Sequence, residues 1–216
     1  MNTNVFELAK DGRMPAFDGA TEWFNSEPLT PAGLRGSAVV VQFWTYTCIN
    51  WLRTLPYIRA WYEKYRNQGL VVIGVHTPEF SVEHSLDNVR RAIREMEIHY
   101  PVAVDNDHTI WSAFGNQYWP AVYFGDGDGA IRFRQFGEGR YEEQERVIQT
   151  LLREAGHAGF TDDLVTIVGK GVEAPADWGS LRSGETYVGF GRSQGFASPG
   201  GIAYDVSSEY AVPERI

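Results

Sequence analysis

Apolar positions along the chain alternate between two spacings. Ala38-Val39-Val40-Val41-Gln42-Phe43-Trp44 is a compact, β-branched run after Gly36, and its length and density predict a buried strand. From Trp51 the apolar residues Leu52, Leu55, Ile58, Tyr62 and Tyr65 fall three or four apart, which predicts a helix with one buried face, stopped at Gly69. Leu70-Val71-Val72-Ile73-Gly74-Val75 is a second buried strand. Leu86, Val89, Ile93 and Met96 mark a second helix, with Arg90, Arg91, Arg94 and Glu95 on its wet side. Pro101 to Asp105 reads as a short strand and Thr109 to Phe114 as one or two helical turns. Ala121 to Phe124 and Ile131 to Phe136 flank Gly125-Asp126-Gly127-Asp128-Gly129 as an antiparallel hairpin. Tyr141 to Glu154 closes the series as a helix, with Val147, Ile148, Leu151 and Leu152 inward. A strand–helix–strand–helix opening requires parallel neighbours, and the hairpin and last helix complete a mixed sheet covered on both faces, an α/β sandwich of three layers.

The flanks lack this regularity. Residues 1–37, punctuated by Pro15, Pro28, Pro31, Gly33 and Gly36, read as a leading arm with a short hairpin. After Gly156 no helical period returns, and Lys170 to Gly201 is dense in Gly, Ser and Pro. The expected division is therefore a domain over 1–156 and an irregular or β-rich extension over 157–216. Tyr187, Phe190, Phe196 and Tyr204 are large apolar groups in that extension, and they predict docking onto the domain or a second chain, a homodimer being one solution.

With 43% hydrophobic residues among 216, the chain holds enough apolar mass for a sizeable core. Its net charge of -9 argues against nucleic acid or an anionic membrane surface as partner. No apolar run approaches the ~20 residues of a membrane span. Met1 to Arg13 has no apolar core of a secretory signal, which makes the cytoplasm the default location, or an extracytoplasmic one if a leader has been removed. A single cysteine excludes an intrachain disulfide and a cysteine-rich zinc site. The five histidines show no metal-ligand spacing, and Asp126-Gly127-Asp128-Gly129 lacks the spacing and final Glu of a calcium loop, so no metal is expected.

The chemistry concentrates in Trp44-Thr45-Tyr46-Thr47-Cys48-Ile49-Asn50-Trp51, between the first strand and the first helix. Reactive groups in open α/β sheets gather at the carboxyl ends of strands. A thiol at a helix N-terminus meets unpaired amides and the positive end of the macrodipole, which can lower its pKa from ~8.5 to ~3.5–7.5. Cys48 is accordingly the candidate nucleophile; the alternative is a small buried hydrophobe. Trp119-Pro120 precedes a strand, where a cis bond would expose backbone beside the cysteine loop. Trp44, Tyr46, Trp51, Tyr118 and Trp119 are candidates for lining a groove for extended peptide, with core filling as the alternative. Glu79, just past the second strand, is a candidate proton-handling carboxylate.

The stretch from Trp44 to Pro56 resembles the active-site segment of the thioredoxin-like (redoxin, TlpA-like) domains of DipZ-type proteins, which reads T-C-I-N-C-L-R-T-L-P. Val75-His76-Thr77-Pro78-Glu79-Phe80 and Tyr118-Trp119-Pro120-Ala121 resemble their counterparts there, and the likeness covers roughly Pro15 to Gly156. It implies a thioredoxin-like fold, Cys48 as the attacking thiol, Pro120 as a cis-proline, and thiol–disulfide exchange with a protein or small-molecule disulfide, with no cofactor. Trp51 stands where the family has its second cysteine, so a mixed disulfide at Cys48 must be resolved by an external thiol. Thr45 and Cys48 also resemble the T-x-x-C of peroxiredoxins, although Val41 replaces the proline that opens that motif. One-cysteine peroxide reduction, and peptide binding without redox turnover, are the alternatives. Ser183 to Arg192 and Phe196 to Gly201 resemble the opening of the β-rich, carbohydrate-module-like domain that follows the redox domain in DipZ-type proteins.

Overall fold

The computed structural model describes residues 8–182, 190–193 and 195–214. The chain divides into two compact units, Met1–Pro175 and Ala176–Ile216.

The first unit is built on a six-stranded sheet: β1 (Glu22–Phe24), β2 (Ala38–Trp44), β3 (Leu70–His76), β4 (Val102–Val104), β5 (Ala121–Gly125) and β6 (Ile131–Phe136). Their spatial order is β1-β4-β3-β2-β5-β6. β2, β3 and β4 run parallel, whereas β5, β6 and β1 are antiparallel to their neighbours. The central pair is in register from Ala38 opposite Leu70 to Trp44 opposite His76, so the ends of β2 and β3 lie side by side.

Alternation along β2 sorts its side chains onto two faces. Ala38, Val40 and Trp44 join a cluster with α1 (Ile49–Tyr65), α2 (Leu86–Glu95) and α4 (Tyr141–Glu154), through Leu55, Ile58, Val89, Ile93, Ile148 and Leu152. Val39, Val41 and Phe43 face the other way, against Ile110 of α3 (Thr109–Ala113), Phe114 at its C-cap, and Phe17 and Leu34 of the leading arm. This is the expected three-layer sandwich with a mixed central sheet. The arm departs from expectation. Instead of closing on itself as a hairpin it supplies β1, which pairs with β4 as Glu22 opposite Val104, because the short β4 leaves an edge to be covered.

The chain reverses at Asp126 through a turn whose carboxylate is already occupied: Oδ1 accepts from the amides of Asp128 and Ala130 at 3.0 and 2.9 Å, and Oδ2 pairs with Arg132 at 3.0 Å. That arrangement makes Asp126-Gly127-Asp128-Gly129 a hairpin turn. Packing carries the first unit past α4. Phe160 meets Tyr65 edge to face at 5.7 Å, the Val165 amide donates to Glu145 at 2.8 Å, and Arg59 grips both oxygens of Glu173 at 2.8 and 2.9 Å.

Taken by itself, the described part of the second unit contains a 3₁₀ turn (Phe190–Arg192) and no strand. Two aromatic pairs organise it, Phe190 with Tyr204 and Phe196 with Tyr210, each at 5.0 Å. Residues 183–189, which carry much of the likeness to a β-rich module, and Tyr187 with them, lie outside the described residues. Among the described residues no helix is long and apolar enough to cross a membrane.

Candidate active site

Three loops meet where β2 and β3 end and β5 begins. The first, Thr45 to Cys48, turns out of β2 and straight into α1. Cys48 is the N-cap residue, with extended dihedrals (φ -75°, ψ 111°), and its carbonyl accepts from the Leu52 amide at 2.9 Å. No acidic residue stands in the first turn of α1, so no side chain of the helix itself opposes its positive end. Cys48 is half-buried, and its Sγ donates to the Trp119 carbonyl at 3.7 Å. That carbonyl belongs to the loop leading into β5, in which the Trp119–Pro120 peptide bond is cis. The Trp119 indole lies on Trp111 at 4.1 Å and donates through Nε1 to the Thr77 carbonyl at 2.9 Å, which ties this loop to the one leaving β3.

The third loop is closed by two buried carboxylates. Asp105 accepts from Thr77 Oγ1 at 3.1 Å and from the Ile110 and Trp111 amides at 2.9 and 2.8 Å, capping α3 while it holds the loop. Burial pushes its pKa up, and those hydrogen bonds restrain the rise. Glu83 is also fully buried. It accepts from the amides of Glu79 and Phe80 at 2.6 and 2.9 Å and from the Thr47 hydroxyl in the cysteine loop. Burial alone would raise Glu83, but the donors around it, the Thr45 hydroxyl first and then Thr47 and the amides of Phe80 and Glu79, outweigh it and hold the carboxyl below the ordinary range. His76, the last residue of β3, is buried between the Tyr46 ring, stacked at 5.7 Å, and the Trp44 ring, edge-on at 4.9 Å. Burial drives its pKa down to about 4, so the imidazole is neutral at neutral pH.

The chain has counterparts in known proteins. The model of the AhpC/TSA family matches residues 11–134, more than half of the chain. The chain belongs to the AhpC/TSA family. Among its relatives, Protein DipZ of Mycobacterium bovis (strain ATCC BAA-935 / AF2122/97) is 40% identical over 152 residues, 69% of this chain and 22% of DipZ. The chain therefore matches about a fifth of that protein's length. Thiol-disulfide oxidoreductase YkuV of Bacillus subtilis (strain 168) is 28% identical over 141 residues, 65% of this chain and 95% of YkuV. Among solved structures, a thioredoxin-like protein in its oxidised form shares 29% identity at a TM-score of 0.61, covering 66% of this chain and 96% of that one. A thiol-disulfide isomerase from Corynebacterium glutamicum, at 24% identity, a TM-score of 0.56 and coverage of 70% and 98%, shares the fold. The thioredoxin-like fold and the DipZ-type resemblance read from the cysteine segment are thus borne out.

In this AhpC/TSA member the residues singled out from sequence separate into two layers. Cys48, Tyr46, Trp119 and Pro120 come together at the loop ends, with Tyr46 donating through its hydroxyl to the Val82 carbonyl at 2.9 Å. Trp44 and Trp51 do not line a groove. Both are 0% exposed and stack on each other at 4.4 Å within the main core, so a bound peptide has no access to them. Gly74 on the neighbouring strand makes room for this stack, since a Cβ there would lie 2.8 Å from Trp44 Nε1 and 2.9 Å from Tyr100. Glu79 is exposed, and its amide serves Glu83. Glu83 and Trp111 went unnoticed in the sequence, and His76 entered only within a family-like segment and as one of five scattered histidines. The one available signal was Glu83 three residues after Phe80, the spacing at which a glutamate reaches back to the amide that opens a helical turn.

Proposed function

We propose that the protein is a thiol–disulfide oxidoreductase that works through Cys48 alone. The Cys48 thiolate attacks one sulfur of a partner disulfide, the S–S bond breaks, and the other sulfur leaves as a thiolate with the electron pair. The resulting mixed disulfide is then attacked by an external monothiol, which restores Cys48. The observation that carries this reading is the pairing of a half-buried thiol at the N-terminus of α1 with a core tryptophan, Trp51, at the helix position three residues on. The relatives named for thiol–disulfide chemistry support the reaction class. Ile49 at the start of α1 and Phe80, Val82 and Tyr118 beside it in the segments after β3 and before β5 are exposed apolar side chains, which suits a protein partner.

Incubation of the full chain with glutathione disulfide should give a single glutathione adduct by mass spectrometry, removed by excess monothiol and absent in Cys48→Ser. Alkylation of Cys48 should reach half its maximal rate below the pH of ~8.5 typical of an ordinary thiol. A chain that forms no adduct, or an adduct that survives monothiol, rules the proposal out. The second reading, peptide binding without turnover, draws on the same exposed side chains. It requires Cys48→Ser to bind an extended peptide as tightly as the wild type.

A further inference from the structure

We propose that Glu83 is a positioning residue for Cys48: its buried carboxylate clasps the Thr47 hydroxyl on one side and the amides of Glu79 and Phe80 on the other, fixing the segment that presents the thiol. This inference rests on the reading of Cys48 as a nucleophile, and it assigns a part to a residue that takes no share in the exchange itself.

A carboxylate removed from water costs several kcal/mol unless its oxygens are satisfied. Among the described residues no lysine or arginine pairs with Glu83, and its hydrogen-bond donors come from the two loops beside the thiol. Those bonds outweigh the burial and keep Glu83 ionised, which makes each a charge-assisted contact. The stabilisation is therefore delivered to loop geometry rather than to the apolar core. A parallel contact acts one residue earlier, where the Tyr46 hydroxyl reaches the Val82 carbonyl at 2.9 Å. Tyr46 and Thr47 are thus both tied to the 82–83 segment, immediately before the residue that caps α1. Once those ties are made, Cys48 has little freedom to leave the helix terminus or the Trp119 carbonyl. Displacing a reacting group by about 1 Å can cost up to ~100-fold in rate.

The test uses the full chain and a symmetrical aromatic disulfide as probe. Attack by Cys48 forms a protein–aryl mixed disulfide and releases one coloured aryl thiolate, whose appearance gives the rate. Thr47 is exposed, so Thr47→Val removes the hydroxyl with little risk to folding. Thr47→Val and Glu83→Ala should each slow the reaction at pH 7 about tenfold. Glu83→Gln keeps an acceptor for the two amides and a donor for Thr47, and should stay within about threefold of wild type. The double variant Thr47→Val/Glu83→Ala should be no slower than either single one, because both break the same clasp. A merely structural role predicts the opposite sign, since loosening the fold exposes the thiol and speeds attack. Variants as fast as wild type, or losses that multiply in the double variant, overturn the clasp. Should Glu83→Ala fail to fold, Thr47→Val and Glu83→Gln decide by the same criteria. A wild-type chain that leaves the probe intact overturns the nucleophile reading, and the clasp with it.

Discussion

Two glutamates, Glu83 and Glu145, are buried to the same degree and serve different ends of the molecule. Glu145, on α4, gathers Lys64 Nζ at 3.0 Å, the Tyr65 hydroxyl at 2.7 Å, the Trp61 indole at 3.3 Å and the Val165 amide at 2.8 Å. Its partners lie on the last turns of α1 and on the segment beyond α4, and they include a cation. Glu83 gathers only neutral donors, and they lie on the loops around the first turn of α1. The same device, a carboxylate saturated by donors from separate segments, anchors one end of α1 to the core and ties together the loops around Cys48 at the other. The contrast teaches that burial alone does not say whether a charge serves stability or reactivity. The location of its donors does.

Breaking the anchor should have the largest effect. Glu145→Leu removes the carboxylate that Lys64, Tyr65, Trp61 and Val165 share and should cost about 3–5 kcal/mol in denaturant unfolding. Molecules that remain folded should form the glutathione adduct at the wild-type rate; a drop in that rate would erase the distinction between the two glutamates. Next comes Trp51→Cys, which supplies the missing dithiol and also empties a fully buried site stacked on Trp44. Stability should fall by about 3 kcal/mol, toward the low end for removing a buried aromatic, while insulin-disulfide reduction with a dithiol recycling system rises above wild type. Unchanged stability would mean that the Trp44–Trp51 stack contributes nothing to the core.

The site's acid sensitivity gives an effect that is smaller for each pH unit. The folded pKa of His76 lies at about 4, below the ~6.5 of an unfolded chain. Between these values the unfolded state binds a proton that the folded state refuses, so stability should fall on acidification from pH ~6.5 to 4, by up to about 1.4 kcal/mol per pH unit. Below about 4 the contribution should level off. Glu83 adds a loss at lower pH, since its folded pKa is depressed and its contribution disappears as pH falls through that value. Asp105, with a raised pKa, works in the opposite direction. His76→Asn should flatten the upper window, as read from urea midpoints at a series of pH values. The smallest change belongs to Thr47→Val, expected to lower stability by about 1 kcal/mol, the cost of removing one hydrogen-bond donor. A larger loss would place the Glu83 clasp with the anchors.

Residues near one another in the chain were legible from sequence alone. The apolar run of β2, the helical spacing of α1 and the junction at Cys48 depend on local period and punctuation, which is why the order of elements from β2 to α4 and the place of the thiol could be read directly. The substitution of Trp51 for a second cysteine was equally plain. The burial of Trp44 and Trp51 was not, because an aromatic beside a reactive loop has the same composition whether it faces a partner or the core. Only the pairing of β2 with β3, which sets Gly74 beside the stack, decides between the two. The arm's pairing with β4 was hidden for a similar reason, since an edge strand of three residues has too little pattern to declare its partner.

By itself, then, the sequence determined the fold class, the single thiol and its position at a helix start, all of which follow from residue types over a dozen neighbouring positions. Tertiary structure decided what surrounds that thiol. Thr47 meets Glu83 across 36 residues, and Cys48 meets the Trp119 carbonyl across 71. Contacts at such separations depend on how the sheet brings its strand ends together, and no local pattern of apolar and polar residues encodes them.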